Sequence, residues 1–230
     1  MKTKIEIKSW LSGSLLFEFE TEDNSILRTL KEAIRQGAYL QGADLLGAHL
    51  QGADLQGVDL QDAYLQDAHL QGADLRGAYL RGAYLRGVHL QGAHLQGADV
   101  RGAYLGGVDL TGVDLTGLDL KWFKNDFWAV LCDYPTEAEG VKKALVEGRV
   151  NGSTYSGECA CLIGTISNIK KCKVEELEKD SNRPAEQWFL GINEGDTPET
   201  NTRSKIAVQW IDEWLAKVRQ VSTGQNNAQN

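Results

Sequence analysis

The sequence predicts a mainly β solenoid, in which short strands coil around an apolar interior. A small apolar residue and, two positions later, a Leu return every five residues from Ala38 to Leu120, with only Val100 and Leu118 departing from the pattern. Residues two apart point to the same side of an extended segment, so both face the interior. A Gly ends nearly every unit, where the chain must turn. An α-helix cannot use this period, because five residues advance about 500° at roughly 100° each and the Leu residues would spiral around it.

Seventeen of these units follow one another, beginning AYLQG ADLLG AHLQG ADLQG. Asp62 and Asp67 replace Gly in two of them, and Asp tolerates the same left-handed backbone conformation. The motif A-(D/Y/H)-L-x-G resembles the pentapeptide-repeat proteins. That resemblance implies a right-handed quadrilateral parallel β-helix for residues 38–121, with four pentapeptides in each turn. At about 4.8 Å per coil, a little over four coils would make a rod about 20 Å long.

The implied four-sided coil sorts the outward residues into vertical files, because every fourth unit then lies on the same side. One file, the Tyr file, contains Tyr64, Tyr84 and Tyr104, preceded by Asp44. The neighbouring His file contains His49, His69 and His89, followed by Asp109. The other two files carry mainly Asp, with Tyr39, Asp59, Tyr79, Asp99 and Asp119 in one and Asp54, Asp74, His94 and Asp114 in the other.

Aromatic side chains presented on a rigid surface are typical of protein interfaces. We therefore predict that a partner protein binds through these files and an exposed apolar residue beside them, namely through Tyr64, Tyr84, Tyr104, His49, His69, His89 and Leu46. Stacked Tyr rings also stabilise a coil, which is the alternative interpretation of the Tyr file. The His file is interpreted as a solvated stack, with metal binding or pH sensing as alternatives. No metal site is predicted, because straight stacking does not bring several donors within about 2.1 Å of one ion.

Residues 1–37 are predicted to form an N-terminal cap made of a hairpin and a helix. Ile5 and Ile7 alternate with charged residues, and a returning strand follows the Ser-Gly-Ser turn. Asn24 or Ser25 is expected to cap a helix that ends at Gly37. A solenoid needs such a lid, because its first coil otherwise exposes its core and a free strand edge. Binding of a partner is the alternative role of this cap.

Residues 122–221 are predicted to form a helix-rich α+β domain, and residues 222–230 a disordered tail. The segment WFKNDFW at residues 122–128 contains large aromatic side chains that we expect to close the end of the coil. Apolar residues from Ile206 to Val218 recur at helical spacing. The segments NGSTYSGECACLIGT and RPAEQWFLGI, with the cap and repeats, resemble pentapeptide-repeat proteins of bacteriophages and prophages.

The possible thiol site is the pair Cys159 and Cys161, which follows a polar turn. A thiol nucleophile needs a base or a cationic setting to become a thiolate, and the C-terminal region contains no His. The four Cys residues of the chain also lack the paired C-x-x-C spacing of a zinc site. Burial as small core residues is therefore the main interpretation, with zinc binding and catalysis as alternatives. No catalytic residue and no cofactor are predicted, and an enzyme of the C-terminal domain remains the alternative function.

The net charge of −8 argues against an extended electrostatic grip on nucleic acid or on an acidic membrane. No apolar run approaches 18 residues, and the polar N-terminus does not resemble a signal peptide. We therefore expect a cytoplasmic, non-catalytic protein, of a bacterium or a phage-infected host cell, that binds a partner protein. Some pentapeptide-repeat proteins act on DNA gyrase as DNA mimics, and the resemblance makes this an alternative. Ten Asp against five Arg or Lys between residues 38 and 121 weaken it, because about 20 Å of B-DNA carries roughly 12 charges.

Overall fold

The structure is a computed structural model that describes residues 1–106, 108, 110, 113, 115, 117–180 and 183–226, with side chains described as far as residue 221. Asp109 and Asp114, assigned to two of the files, therefore lie outside the described residues. The chain divides into two compact units, Met1–Trp122 and Phe123–Asn230. This division falls one residue after the domain boundary expected from the sequence.

The first unit contains a coil in which residues twenty positions apart pair in parallel. Asp44 pairs with Tyr64, Tyr64 with Tyr84, and Tyr84 with Tyr104. The backbone N–H of Tyr64 donates to the carbonyl of Ala43, and the N–H of Leu45 donates to the carbonyl of Tyr64, both at 2.8 Å. Twenty residues per coil correspond to four pentapeptide sides, so the four-sided register expected from the resemblance is observed.

The interior of the coil is a stack of Leu with Ala or Val. The inward Leu side chains are almost completely buried, including Leu50, Leu60, Leu65 and Leu70. The corners take the left-handed conformation, with φ between 59° and 69° for the repeat glycines from Gly42 to Gly102. Asp62 and Asp67 have φ of 55° and 56°, which confirms that Asp replaces Gly at two corners without changing the turn.

A hairpin and one helix precede the coil. Strand β1 (Lys2–Lys8) pairs antiparallel with β2 (Leu15–Glu22), and helix α1 spans Ile26–Arg35. The side chain of Ser25 accepts a hydrogen bond from the N–H of Arg28 and so caps α1. Ile7, Leu30 and Ala33 are fully buried, which gives the hairpin and helix a shared apolar core.

The end of β1 continues onto the first coil. Ser9 pairs antiparallel with Ala43, the N–H of Asp44 donates to the carbonyl of Lys8 at 2.7 Å, and the N–H of Trp10 donates to the carbonyl of Gly42 at 2.9 Å. These bonds cover one strand edge of the coil, as expected of a lid.

The second unit is helical. It contains α2 (Lys121–Asp133, whose first two residues precede the division), α3 (Ala138–Val146), α4 (Leu162–Lys170), α5 (Pro184–Phe189) and α6 (Thr202–Asn226). A short 3₁₀ helix spans Val174–Glu176. Among the described residues of this unit, β structure is limited to a parallel bridge between Val150 and Ala160. The prediction of a helix-rich domain is therefore confirmed, and its β part is reduced to this one bridge.

The core of the second unit is aromatic. Trp188 packs against Phe123 at 5.5 Å and against Trp210 at 4.9 Å between ring centroids, and Phe127 packs against Phe189 at 5.4 Å. Two residues of the aromatic segment expected to close the coil thus contribute to this core. Its role in closing the coil stays a prediction.

The predicted disordered tail begins too early, because α6 continues to Asn226. Ser, Thr and Gln do not end a helix that a packed apolar face has already formed, and residues 227–230 lie outside the described part. None of the helices in the described ranges is both long and apolar enough to cross a bilayer.

Candidate partner-binding face

The His file is a regular stack on one side of the coil. Parallel pairing of His49 with His69 and of His69 with His89 sets the spacing of the backbone. The imidazole rings follow it, with centroids 4.7 and 4.8 Å apart and interplanar angles of 11° and 19°. His49 and His89 are exposed, and His69 is half-buried between them. The vertical file of imidazoles that the resemblance implies is observed.

The same stacking does not form a chelate. Two donors bound to one ion at about 2.1 Å lie at most about 4.2 Å apart, whereas equivalent nitrogens of these parallel rings are separated by about the centroid spacing of 4.7 Å. Among the residues that the structure describes, no group of three or more His, Cys, Asp or Glu side chains is arranged to hold a metal ion.

The Tyr file is stacked at its C-terminal end and tilted at its N-terminal end. Tyr84 and Tyr104 stack at 4.7 Å with an angle of 14°, whereas Tyr64 and Tyr84 are 5.7 Å apart and inclined by 59°. Burial raises the pKa of the Tyr84 hydroxyl, with a smaller contribution from Tyr104. Tyr104 is 40% exposed, while Tyr64 and Tyr84 are half-buried.

Trp10 explains why part of the Tyr file is covered. Its ring stacks on Tyr64 at 5.5 Å and meets the edge of Tyr84 at 5.0 Å. Its Nε1 donates to the backbone carbonyl of Asp62 at 2.7 Å. Tyr64 and Tyr84 of the predicted partner-binding site are therefore partly covered by the chain's own Trp10, and Tyr104 is the most exposed of the three. Their role in binding a partner stays a prediction. Trp10 was not foreseen, although a Trp directly after the strand that contains Ile5 and Ile7 is a signal of tertiary contact.

A groove lies beside the N-terminal end of the His file. Leu46 is 55% exposed, and it is the only large apolar residue at a position otherwise occupied by Gln, Arg, Lys, Thr or Gly. With Ile26 of α1, Asp44 and His49, it lines a space of about 430 Å³. The structure thus brings together Leu46 and His49 of the predicted site, and adds Ile26 and Asp44.

The Asp-rich sides are partly neutralised by the chain itself. Arg76 forms an ion pair with Asp74, and Arg101 with Asp99, each with N–O distances of 2.5 Å. Hydrogen bonds from these guanidinium groups are the main reason that the pKa of each carboxyl is lowered. These carboxylates stay charged, but each has an arginine beside it.

The thiols of Cys159 and Cys161 are not set up as nucleophiles. Cys161 is buried, and this burial, with the nearby Glu186 carboxyl, raises its pKa to about 12. Burial and the carboxylate of Glu194 raise the pKa of Cys159. A catalytic thiol requires the opposite shift. An open cleft of about 540 Å³ nearby is lined by Arg149, Gly157, Glu158 and Asn168.

The residues that form the coil match a known family of repeats. The family described as Pentapeptide repeats (8 copies) matches residues 36–72, 63–102 and 89–123. No curated protein sequence matches the chain. Among solved structures, a pentapeptide repeat protein from Nostoc Pcc 7120 is 39% identical over 44% of this chain and 79% of that one, with a TM-score of 0.36.

Two further cyanobacterial structures are similar to parts of the chain. Rfr23 from Cyanothece 51142 is 40% identical over 33% of this chain and 54% of that one, with a TM-score of 0.24. HetL from Nostoc sp. strain PCC 7120, a protein involved in heterocyst differentiation regulation, is 33% identical over 34% and 47%, with a TM-score of 0.23. These TM-scores are too low for the superpositions to carry an argument, so the assignment rests on the repeat match and the sequence identity. The chain belongs to the pentapeptide-repeat protein family.

Proposed function

We propose that this chain is a non-catalytic module that docks a partner protein through the His file and the exposed residues beside it, Tyr104 and Leu46. The observation that carries the proposal is the straight stack of His49, His69 and His89 at spacings of 4.7 and 4.8 Å. This stack is flanked on the next side by Tyr104, which is 40% exposed. The cytoplasmic localisation expected from the sequence is part of this proposal.

The backbone of the coil supports this role. The outward residues from Tyr64 to Tyr104 are held by bonds to the coil before them, such as the N–H of His69 to the carbonyl of Ala48 at 2.9 Å and the N–H of His89 to the carbonyl of Ala68 at 3.0 Å. A backbone fixed in this way loses little further freedom when a partner binds. Imidazole and phenol groups combine an apolar ring with a polar edge, which suits a mixed interface.

The DNA-mimic alternative receives less support. Between residues 38 and 121 the ten Asp and five Arg or Lys residues leave a net charge of −5, less than half of the roughly 12 charges on about 20 Å of B-DNA. The ion pairs Arg76–Asp74 and Arg101–Asp99 interrupt the acidic surface further. A gyrase supercoiling assay with the purified chain tests this alternative, and inhibition by the chain at stoichiometric concentrations would favour it over the docking proposal.

The docking proposal is tested by cross-linking capture from a lysate of the organism that carries the gene, with mass-spectrometric identification of the captured protein. We expect Tyr104→Ala and His89→Ala each to reduce capture of one identified partner at least about tenfold, as loss of an interface residue worth about 1.4 kcal/mol would do.

Tyr79→Ala is the matched control, because Tyr79 is 51% exposed at the same repeat position on another side of the coil. Unchanged far-UV circular dichroism and melting temperature would establish that all three variants fold. Equal capture by Tyr104→Ala, His89→Ala and Tyr79→Ala would contradict the proposal.

A further inference from the structure

The N-terminal edge of the coil is paired on the side of the Tyr file and open on the side of the His file. In later coils, the N–H of His69 donates to Ala48 and the N–H of Asp74 donates to Ala53, at 2.9 and 2.8 Å. The corresponding N–H and carbonyl groups of His49 and Asp54 have no hydrogen-bond partner among the described residues. An open strand edge of this kind is a template for pairing with another segment.

The chain itself shows how such an edge is filled. On the Tyr side, Ser9 pairs antiparallel with Ala43 through backbone bonds, and the next side chain, Trp10, turns onto the aromatic rings of that side. Backbone bonds and one large side chain are therefore sufficient to seat an extended segment on this coil. The counterparts of the Asp44 N–H and the Gly42 carbonyl on the His side are the N–H of His49 and the carbonyl of Gly47. The groove lined by Ile26 and Leu46 lies next to them.

We propose that the His-side edge binds an extended, basic segment of the partner by strand addition. The segment pairs with the backbone of His49, places an apolar side chain against Ile26 and Leu46, and places a Lys or Arg beside Asp44. This inference rests on the proposed docking function and specifies its binding mode.

The charge of the groove and the burial of the side chains behind the edge favour an extended, basic segment. Among the described residues that line the groove, Asp44 is the only acidic one, and none is a Lys or an Arg. Its carboxylate accepts the backbone N–H of Leu46 at 3.3 Å, which leaves acceptor positions for a cation. The inward side chains behind the edge, Leu50 and Leu55, are buried. An amphipathic helix would therefore find too little apolar surface, whereas an extended segment needs only the backbone and one pocket.

The test is a nuclear magnetic resonance titration of the ¹⁵N-labelled full chain with the peptide acetyl-KVKLKVK-amide. We expect the amide signal of His49 to shift and its hydrogen exchange to slow at least about fivefold. The acidic peptide acetyl-EVELEVE-amide should bind at least about tenfold more weakly. Two further versions of the basic peptide are each N-methylated at one of two successive central residues. Successive N–H groups of a strand point to opposite edges, so one of the two versions lacks the N–H that faces the coil, and at least one should bind about tenfold more weakly.

Variants of the chain locate the site. Leu46→Gln introduces the residue found at the same repeat position in the neighbouring units and should weaken binding of the basic peptide at least about tenfold. Asp44→Asn should weaken binding of this peptide about threefold. Asp54→Asn removes the same charge on the next side and should leave affinity unchanged. Binding of both N-methylated peptides as tightly as the unmodified peptide, or an unaltered affinity for Leu46→Gln, would refute strand addition. So would the absence of any shift at His49 at millimolar peptide.

Failure of this inference can be told from failure of the docking proposal. If Leu46→Gln still captures the partner that Tyr104→Ala loses, the coil docks its partner but not by strand addition at this edge. If neither variant changes capture, both proposals are wrong.

Discussion

The coil and the C-terminal unit bury their side chains in different ways. In the coil, Leu60, Leu65 and Leu70 occupy nearly equivalent environments, because each is buried and has a Leu twenty residues before it and twenty residues after it. In the C-terminal unit, Trp188 contacts Phe123 and Trp210 in one irregular cluster. The coil therefore distributes its stability over many similar contacts, while the second unit depends on a few large ones.

Buried polar groups sharpen this contrast. In the coil, backbone N–H and carbonyl groups are paired by hydrogen bonds between residues about twenty positions apart. The second unit encloses Arg203, whose guanidinium lies 5.4 Å from the centre of the Trp188 ring and donates to the carbonyls of Gln187 and Trp188 at 3.0 and 2.8 Å. Buried charged groups such as this one make a core sensitive to the loss of a single neighbour.

The largest expected effect is that of Trp188→Ala. This change removes the central ring of the second core and uncovers Arg203, and we expect a loss of about 3–5 kcal/mol in the free energy of unfolding of that unit. Urea titration followed by tryptophan fluorescence measures the loss, and the amide signals of the repeat glycines should stay in place. Trp122→Ala, at a residue that is 50% exposed, is the control with a small effect. Loss of the glycine signals as well would show that the two cores are not independent.

An intermediate effect is expected from Glu186→Gln. Glu186 is buried and accepts the backbone N–H of Ile163 at the start of α4, at 3.0 Å. Burial raises its pKa above the ordinary value of 4.5, so the folded state holds this proton to higher pH than the unfolded state. The contribution of this group is thus most favourable at low pH, declines as pH rises through the interval between the two pKa values, and stays low above it.

Gln keeps the acceptor and has no charge, so we expect Glu186→Gln to stabilise the second unit at pH 7, by about 1.4 kcal/mol for each unit by which the pKa is raised. Thermal melts between pH 4 and pH 8 should show a smaller fall in stability with pH for the variant than for the native chain. Parallel curves for the two proteins would contradict this expectation.

The smallest effect concerns two corners of the coil, Gly82 and Gly72. Both have a positive φ, 68° and 66°, so Ala at either position costs about 1–2 kcal/mol. A Cβ on Gly82 would also lie 2.1 Å from Oδ1 of Asp62, whereas a Cβ on Gly72 would meet nothing within 4 Å. We therefore expect Gly82→Ala to be the more destabilising change, with a coupling to Asp62→Gly of about 0.5–1 kcal/mol in a double-mutant cycle. Additive effects in the cycle would mean that the Asp62 side chain moves away freely.

The coil was predictable because a period of five decides which residues face inward. The buried Leu stack, the left-handed Asp62 and Asp67, and the stacked His file all follow from that period and from the resemblance it carries. The hairpin and α1 were predictable from alternation and from the cap at Ser25.

The remaining features depend on contacts between distant residues. Trp10 covers Tyr64 and Tyr84 from more than fifty positions away in the sequence, and no local pattern states where the side chain lies. Glu186 resembles any surface carboxylate of a helix until α4 is placed against it. The open edge at His49 is a property of the end of the coil, and a repeat motif describes only its interior units.

The pairing of residues twenty apart also determines how this molecule tolerates insertions and deletions. Adding or removing twenty residues changes the height of the column and leaves every later side chain above its former neighbours. Removing five residues rotates all later units by a quarter turn, so that an imidazole such as His89 would follow the phenol of Tyr64. Length can therefore vary during evolution in whole coils without erasing a binding surface, whereas a shift by one pentapeptide produces a new surface in a single step.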